Sequence, residues 1–432
     1  MEIYGIFELR KGNPYLNTSY PIDPKIWSKY RVYEPLSFSQ EREMSFYIHI
    51  PFCKQICSFC EYSRVICPDD KSQYLYLTVL QNDIRHFMED NPEFKLNGFD
   101  IGGGTPTSLS RENFNYLMTI YDDTICNLQL TADYEPSIEA TFNTIDDYKL
   151  DRIVSSGITR LSLGVQSSDN SILMNHHREH NDVSQMDKVL DQAYQVGVTK
   201  INLDMMYGLP WQDKNTINND LELLKVLSPE QVTLYELRPN MVNIVTKYNK
   251  DCLYEQYMQY FEGLIKLGYV GRIGQNTFSK NNLDYGVSSY LRSRMFNATA
   301  YKGFGLSAQS MSKNGISYNY GKKVSTVLEC LSMDSFPEEY TYLLPPEELC
   351  AKYIAIAAYS GRLSIEVMST LLGCNAAEYY AEILDFCFKN GYIEYNGDNL
   401  YITSKGFRYY GAVFSLFYPN NQVSITHKER GW

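Results

Sequence analysis

The 432-residue chain has no excess of positive charge: 39 Lys and Arg stand against 51 Asp and Glu, a formal net charge of -12. A general nucleic-acid surface needs clustered cations to displace counterions from phosphates, and no such cluster is visible, so no nucleic-acid partner is expected. Long apolar runs are missing as well. Nowhere do about 18 uncharged apolar residues follow one another, which argues against a membrane-spanning helix and a membrane partner. The start, MEIYGIFELRKGNP, has neither an apolar leader core nor a small-residue cleavage site, and a cytoplasmic location is expected. There is no low-complexity tract, and no internal repeat beyond an alternation of strand and helix patterns. Paired cysteine spacing is absent from most of the chain: Cys67, Cys126, Cys252, Cys330, Cys350, Cys374 and Cys387 are scattered singly, unlike a secreted disulfide framework. Reducing surroundings are implied.

What is present describes an ordinary globular protein, 44% hydrophobic and 21% charged. Its length suits two or three units, one of them large enough to be a barrel. The 38 Tyr fit a polar-lined cavity, a broad recognition surface or a compositional bias of the source, and the count alone does not choose. Residues 1–44 show no sustained period and read as an irregular N-terminal arm. Short apolar runs at 46–50, 98–103, 137–142, 158–166, 200–208 and 231–237 then read as six strands. Amphipathic stretches at Gln73–Met88, Leu150–Ser156, Val183–Val196 and Thr216–Leu227 lie between them. Strands alternating with helices imply a parallel sheet, so the expected fold class is α/β, with a partial (β/α)6-type TIM barrel over 45–281 and an open doubly wound sheet as the alternative. Residues 282–343 read as an irregular connecting, substrate-covering region. Residues 344–432 read as a winged-helix-like C-terminal α+β domain, whose acidic third helix candidate (Ala376–Lys389) favours a scaffold over a DNA reader.

The residues that demand a mechanism are Cys53, Cys57 and Cys60, in YIHIPFCKQICSFCEYS (47–63), directly after the first strand. Chance would place this spacing somewhere in such a chain in roughly 0.5% of cases. Structural zinc wants four closed ligands, and Cys67 and His49, the nearest candidates for a fourth, sit in unlike contexts. A disulfide with a spare thiol suits a reducing compartment poorly. An iron–sulfur cluster is usually held by four thiolates, so three would leave one iron open to a ligand that is not protein.

With an aromatic, Phe59, before the third cysteine, this C-x-x-x-C-x-x-C stretch resembles the signature of the radical S-adenosylmethionine (radical SAM) enzymes. HIPFCKQICSFC, DIGGGTPTSL, IEATFN, GITRLSLGVQS, INLDMMYGLP and GFGLSAQSM resemble, in order, motifs of the oxygen-independent coproporphyrinogen III oxidase-like family. The resemblance covers about 46–414, and LNTSYP (16–21) is similar to the arm of its oxidase branch. It implies a [4Fe-4S] cluster on Cys53, Cys57 and Cys60, whose open iron chelates S-adenosylmethionine and whose electron cleaves it to a 5′-deoxyadenosyl radical. Residue by residue, it implies Tyr47, Gly103 and Glu139 for a first S-adenosylmethionine, and Phe59, Gly104, Thr105, Gln166, Arg178 and Asp204 for a second. A flavodoxin or ferredoxin would be the electron donor. The stretch NHHREH (175–180) reads as a surface loop carrying Arg178 rather than a metal site, since adjacent histidines on a loop have no fixed convergent geometry.

The chain also departs from that pattern. The oxidase branch carries a fourth cysteine two residues after the third, where Tyr62 stands. Arg238 replaces a small residue facing the second molecule, and Gln309 an aliphatic one, both expected to make the pocket more polar. Tyr62 is the one candidate for a catalytic role. These departures point away from porphyrinogen decarboxylation and toward relatives in which the second S-adenosylmethionine donates a methyl or methylene group to an sp2 carbon of a natural-product intermediate or tetrapyrrole. Coproporphyrinogen III dehydrogenase-type oxidation and a non-enzymatic haem chaperone are the alternatives.

Overall fold

The structure, a computed structural model, describes residues 2–11, 20–22, 24–178, 182–238, 249–321 and 327–419. All six strands expected from the apolar runs form: β1 (Glu43–Ile50), β2 (Lys95–Gly103), β3 (Gln129–Ala140), β4 (Arg160–Gln166), β5 (Lys200–Tyr207) and β6 (Gln231–Glu236). They pair in that order, each parallel to the next, with registers such as Tyr47↔Asp100, Glu139↔Ser162 and Asp204↔Thr233. Their apolar runs are continuous because helices and cavity cover both faces of a parallel sheet. Phe46, Ile48, Ile50, Phe99, Ile101, Leu161, Leu163, Ile201 and Leu203 are all fully buried, each stabilising the fold by about 1.5–3 kcal/mol.

Helix starts follow from the sequence. Asp69, Asp146, Asp182 and Asp213 each cap the helix that follows by accepting backbone N–H groups, and Asp213 forms a capping box with Thr216. Gly197, at φ +113°, ends the helix Val183–Val196, where a left-handed residue is needed.

Two expectations about irregular segments need correction. Beyond β6 the chain adds β7 (Thr277–Ser279), antiparallel to β6, and then β8 (Ala300–Phe304), which pairs parallel with β1 on its free side. The region 282–343 also holds the helix Ser289–Asn297 and an antiparallel run β9 (Gln309–Ser312), β10 (Gly315–Asn319) and β11 (Glu338–Leu343). These strands are short and rich in Ser, Tyr and Gly, so their alternation is weak in the sequence; pairing on the β1 edge supplies what propensity does not. The described part of the N-terminal arm is not irregular either. Ile3–Lys11 is a helix whose buried Phe7 stacks on Tyr392 at 4.9 Å between centroids and whose Arg10 donates to the Ser415 carbonyl. Arg31–Val32 pairs with β11 at the sheet edge. Most of LNTSYP lies outside the described residues, as does His180.

The resulting sheet has twelve strands among the described residues, and its end strands β7 and Arg31–Val32 do not pair with each other, so the barrel is incomplete. After it come the helix Pro346–Ala357, a short strand Arg362–Ser364, helices Ile365–Leu372 and Ala381–Lys389, a hairpin that pairs with that strand in a three-stranded sheet, and two short helices, Ser404–Phe407 and Tyr410–Ser415. The helix expected over Ala376–Lys389 is broken at Tyr380, whose buried ring packs on Phe417. None of the described helices is long and apolar enough to cross a membrane.

Candidate active site

One cavity of ≈ 510 Å³ lies within the strand array, lined by residues from β2 to β6, the cysteine loop, the helix Ser289–Asn297 and the C-terminal unit. The turn after β2 builds its wall. Gly103 has φ +109°, and a Cβ there would lie 2.5 Å from Nδ1 of the buried His49 ring, so only glycine fits. The next two amides run back to the start of the cysteine loop: Gly104 N–H donates to the Ile50 carbonyl and Thr105 N–H to that of Phe52, both at 2.8 Å. GGGTP is thus the brace that sets Cys53.

Cys53, Cys57 and Cys60 all line this cavity, and none is in a disulfide. No group of three His, Cys, Asp or Glu residues among those described closes around a single metal ion. The surroundings suit a polynuclear cluster carrying negative charge. The Thr105 hydroxyl points at Cys53 Sγ and Arg178 Nη1 at Cys57 Sγ, each at 3.7 Å. Burial pushes the Cys53 thiol up to about 11 and raises that of Cys60, while Arg64 opposes both shifts. Cys53 and Cys60 therefore favour the protonated thiol, and iron would displace those protons.

Of the residues implied for S-adenosylmethionine, Phe59, Gly103, Gly104, Thr105, Glu139, Gln166, Arg178 and Asp204 line the same cavity, as does Tyr62. Glu139, at the end of β3, accepts from Gly103 N–H at 3.1 Å; burial, then the Asp204 carboxylate, raises it to about 7. Asp204 accepts from Asn202 at 2.8 Å and Ser162 at 3.3 Å, and burial still holds it at about 6. Two carboxylates, each penalised by burial and together by repulsion, favour cationic ligands. Gln166 ends β4 at φ +73°, an uncommon conformation for a side-chain-bearing residue. The Arg178 guanidinium donates to the Gly164 carbonyl, and a Cβ on Gly164 would meet both Arg178 Nη2 and Gln166 Nε2 at 2.9 Å.

Two placements differ from expectation, and a third residue has a further task. Tyr47 does not line the cavity: its ring stacks on Tyr290 at 5.8 Å and its hydroxyl meets His49 Nδ1 at 3.3 Å. Gln309 does not add polarity to the pocket, because its amide is spent between the hydroxyls of Tyr301 (2.8 Å) and Tyr318 (2.9 Å). Arg238 lines the cavity but is occupied as a bridge, donating to Glu61 at 3.1 Å and to the Tyr359 hydroxyl. It thereby joins the cysteine loop to the C-terminal unit. Tyr62, half-exposed to the cavity, has its phenol held above the ordinary tyrosine range by the surrounding protein and by Glu139 and Glu61, so it stays protonated at neutral pH.

Sequence reasoning missed two supports. His176 is fully buried, not on a surface loop: its carbonyl accepts from Ser58 N–H (3.0 Å), its Nδ1 meets Ser58 Oγ (2.8 Å), and its ring packs on Phe59. It ties the cysteine loop to the loop that carries Arg178. Buried Asp220 accepts from Ser168 N–H and Oγ and from the Tyr260 hydroxyl, fixing the turn after Gln166. Nothing in the spacing of either residue marks it.

The chain is similar to known proteins in sequence and in fold. A sequence model of the Radical SAM superfamily matches residues 47–224. Oxygen-independent coproporphyrinogen III oxidase of Salmonella typhimurium (strain LT2) is 26% identical over 386 residues, 85% of this chain and 83% of that one. Heme chaperone HemW of Bacillus subtilis (strain 168) is 26% identical over 381 residues, 86% of this chain and 98% of that one. The structure of coproporphyrinogen III oxidase (HemN) from Escherichia coli, a radical SAM enzyme, matches with a TM-score of 0.75 at 23% identity, covering 93% of this chain and 96% of that one.

Proposed function

From the premise that the chain belongs to the radical SAM superfamily, in its oxygen-independent coproporphyrinogen III oxidase-like family, we propose that a second S-adenosylmethionine serves it as methyl or methylene donor to an sp2 carbon. When bound, the [4Fe-4S] cluster supplies the electron that cleaves a first S-adenosylmethionine. Cys53, Cys57 and Cys60 would hold the cluster.

The observation that carries the two-molecule reading is the pair of strained carboxylates. Glu139 and Asp204 line one cavity on separate strands, each with its own neighbours: Gly103 beside Glu139, and Asn202 and Ser162 beside Asp204. Each offers an acceptor to a ligand carrying ammonium and sulfonium charge. Arg178, with Gln166 beside it, is placed to take a methionyl carboxylate, and Phe59 to cover an adenine ring. The acceptor would be a tetrapyrrole or another conjugated molecule, with Tyr62 available to return a proton. A flavodoxin or ferredoxin in a reducing cytoplasm would supply the electron.

A second reading rests on the five arginines that line the cavity, Arg64, Arg160, Arg178, Arg238 and Arg294. They would suit the carboxylates of a porphyrinogen undergoing oxidative decarboxylation. Both readings meet one experiment: anaerobic reconstitution, then dithionite with S-adenosylmethionine deuterated at its methyl group, with products read by mass spectrometry. Deuterium in 5′-deoxyadenosine, with S-adenosylhomocysteine or methylthioadenosine, is the expected result. Unlabelled 5′-deoxyadenosine that persists with candidate acceptors present would overturn methylene donation in favour of porphyrinogen-type oxidation. No cleavage, with haem bound and passed on, would favour a chaperone.

A further inference from the structure

Part of the cavity lining belongs to none of the residues assigned to cluster or cofactor. It comes from the helix Ser289–Asn297 with the loop before it, and from the end of the helix Pro346–Ala357. Val287, Leu291, Met295, Ile356 and Ala358 make this wall apolar, and Arg294 is the one charged group among them. Its guanidinium carbon lies 3.9 Å from the Tyr301 ring centroid and 4.9 Å from that of Tyr290, and Nη1 donates to the Tyr290 hydroxyl at 2.6 Å.

No carboxylate among the described residues lies within ion-pair distance of Arg294, and its Nε has no hydrogen-bond partner. A partly buried guanidinium without an ion-pair partner is costly, and a ligand acid would offset that cost. Asp100, the acid that acts on it, accepts from Ser288 and is raised to about 7, chiefly by burial, which makes it a weak counter-ion at neutral pH. Beyond Asp100, the nearby Lys352 is lowered to about 8, by burial first and then by Arg294 and Arg238. Arg294 is thus the charged group that the apolar wall offers to the cavity.

We propose that Arg294 and the apolar wall around it form the substrate subsite, selecting an amphiphilic molecule by a carboxylate that pairs with the Arg294 guanidinium. The inference rests on reading this cavity as a radical SAM active site, and it constrains the acceptor, which must carry both an extended apolar body and an acid. It also gives the region 282–343 a specific task, since the helix Ser289–Asn297 presents Leu291, Arg294 and Met295 to one ligand.

The test is equilibrium binding by fluorescence to the reconstituted protein with S-adenosylmethionine present. Two probes are used as free acids and as methyl esters: coproporphyrin III and 1-pyrenebutyrate. The free acid of at least one should bind about 10-fold or more tighter than its ester, the size of one charge-assisted contact. Arg294→Met should abolish that preference and Arg294→Lys restore part of it, with circular dichroism reporting whether each variant is folded. Leu291→Trp, which fills the apolar wall, should weaken acid and ester alike while keeping their ratio. Equal binding of acid and ester by the wild-type protein, no binding of either probe, or an undiminished preference in folded Arg294→Met would overturn the proposal. S-adenosylmethionine cleavage by the wild-type protein without probe is measured separately. Loss of cleavage with acid preference intact would sink the enzyme reading and leave the subsite standing.

Discussion

Binding of S-adenosylmethionine should strengthen as pH rises from 6 to 8, and Glu139 should account for most of the change. A carboxyl titrating near its ordinary value would already be ionised throughout that range. Glu139 is raised to about 7 by burial and by Asp204, and Asp204 to about 6 by burial. Only the ionised forms attract a cationic ligand, so the apparent Kd is the intrinsic one divided by the ionised fraction. For Glu139 that fraction goes from roughly one in eleven at pH 6 to ten in eleven at pH 8, about a 10-fold gain. Asp204 adds about a factor of 2. Calorimetric or equilibrium-dialysis titration of the reconstituted protein at several pH values reads the slope. Deprotonation of the ligand's own amino group also alters binding over this range, but it is common to wild type and Glu139→Gln. The difference between the two slopes therefore isolates the carboxylate. Equal slopes would refute the argument, because they would mean that Glu139 is not what titrates when the ligand binds.

Replacing Cys57 by Ala should abolish cluster absorbance and bring iron per chain to near zero after reconstitution, whereas Cys67→Ala, away from the cavity lining, should leave both unchanged; retained iron in Cys57→Ala would disprove the assignment. Gly164→Ala sets a Cβ 2.9 Å from both Arg178 Nη2 and Gln166 Nε2, so transfer of deuterium to 5′-deoxyadenosine should fall while cleavage of S-adenosylmethionine continues; unchanged labelling would show that Arg178 holds no second molecule. Gly103→Ala forces a side chain into φ +109° and against His49; about 1–3 kcal/mol should be lost in urea unfolding, and wild-type stability would contradict the brace described for Cys53. Glu61→Gln breaks the ion pair with Arg238, whose side chains are 28% and 30% exposed; a cost of about 1 kcal/mol or less is expected, and a much larger loss would mean that the bridge to Tyr359 carries the C-terminal unit.

Local chemistry was legible in the chain from the start. The parallel strands declared themselves because both faces are buried, which leaves long apolar runs, and their helices because Asp caps and amphipathic faces are local signals. The three cysteines stood out because their spacing is improbable without a function. Only tertiary structure could place what depends on contacts distant in sequence. His176 looked like a loop histidine until the fold buried it against Ser58 and Phe59. Arg238 lines the pocket as expected, but its bridge from Glu61 to Tyr359, 177 residues one way and 121 the other, could not be read from the sequence. Tyr47 and Gln309 are engaged by stacking and hydrogen bonds with Tyr290, Tyr301 and Tyr318, contacts that no local pattern announces. The β8–β11 run escaped notice because its short polar strands are held by an edge that another part of the chain supplies. Which residues carry the chemistry is written in the order of the chain; which way they face is decided where strands far apart in that order meet, because burial and charge there belong to the neighbourhood and not to the residue.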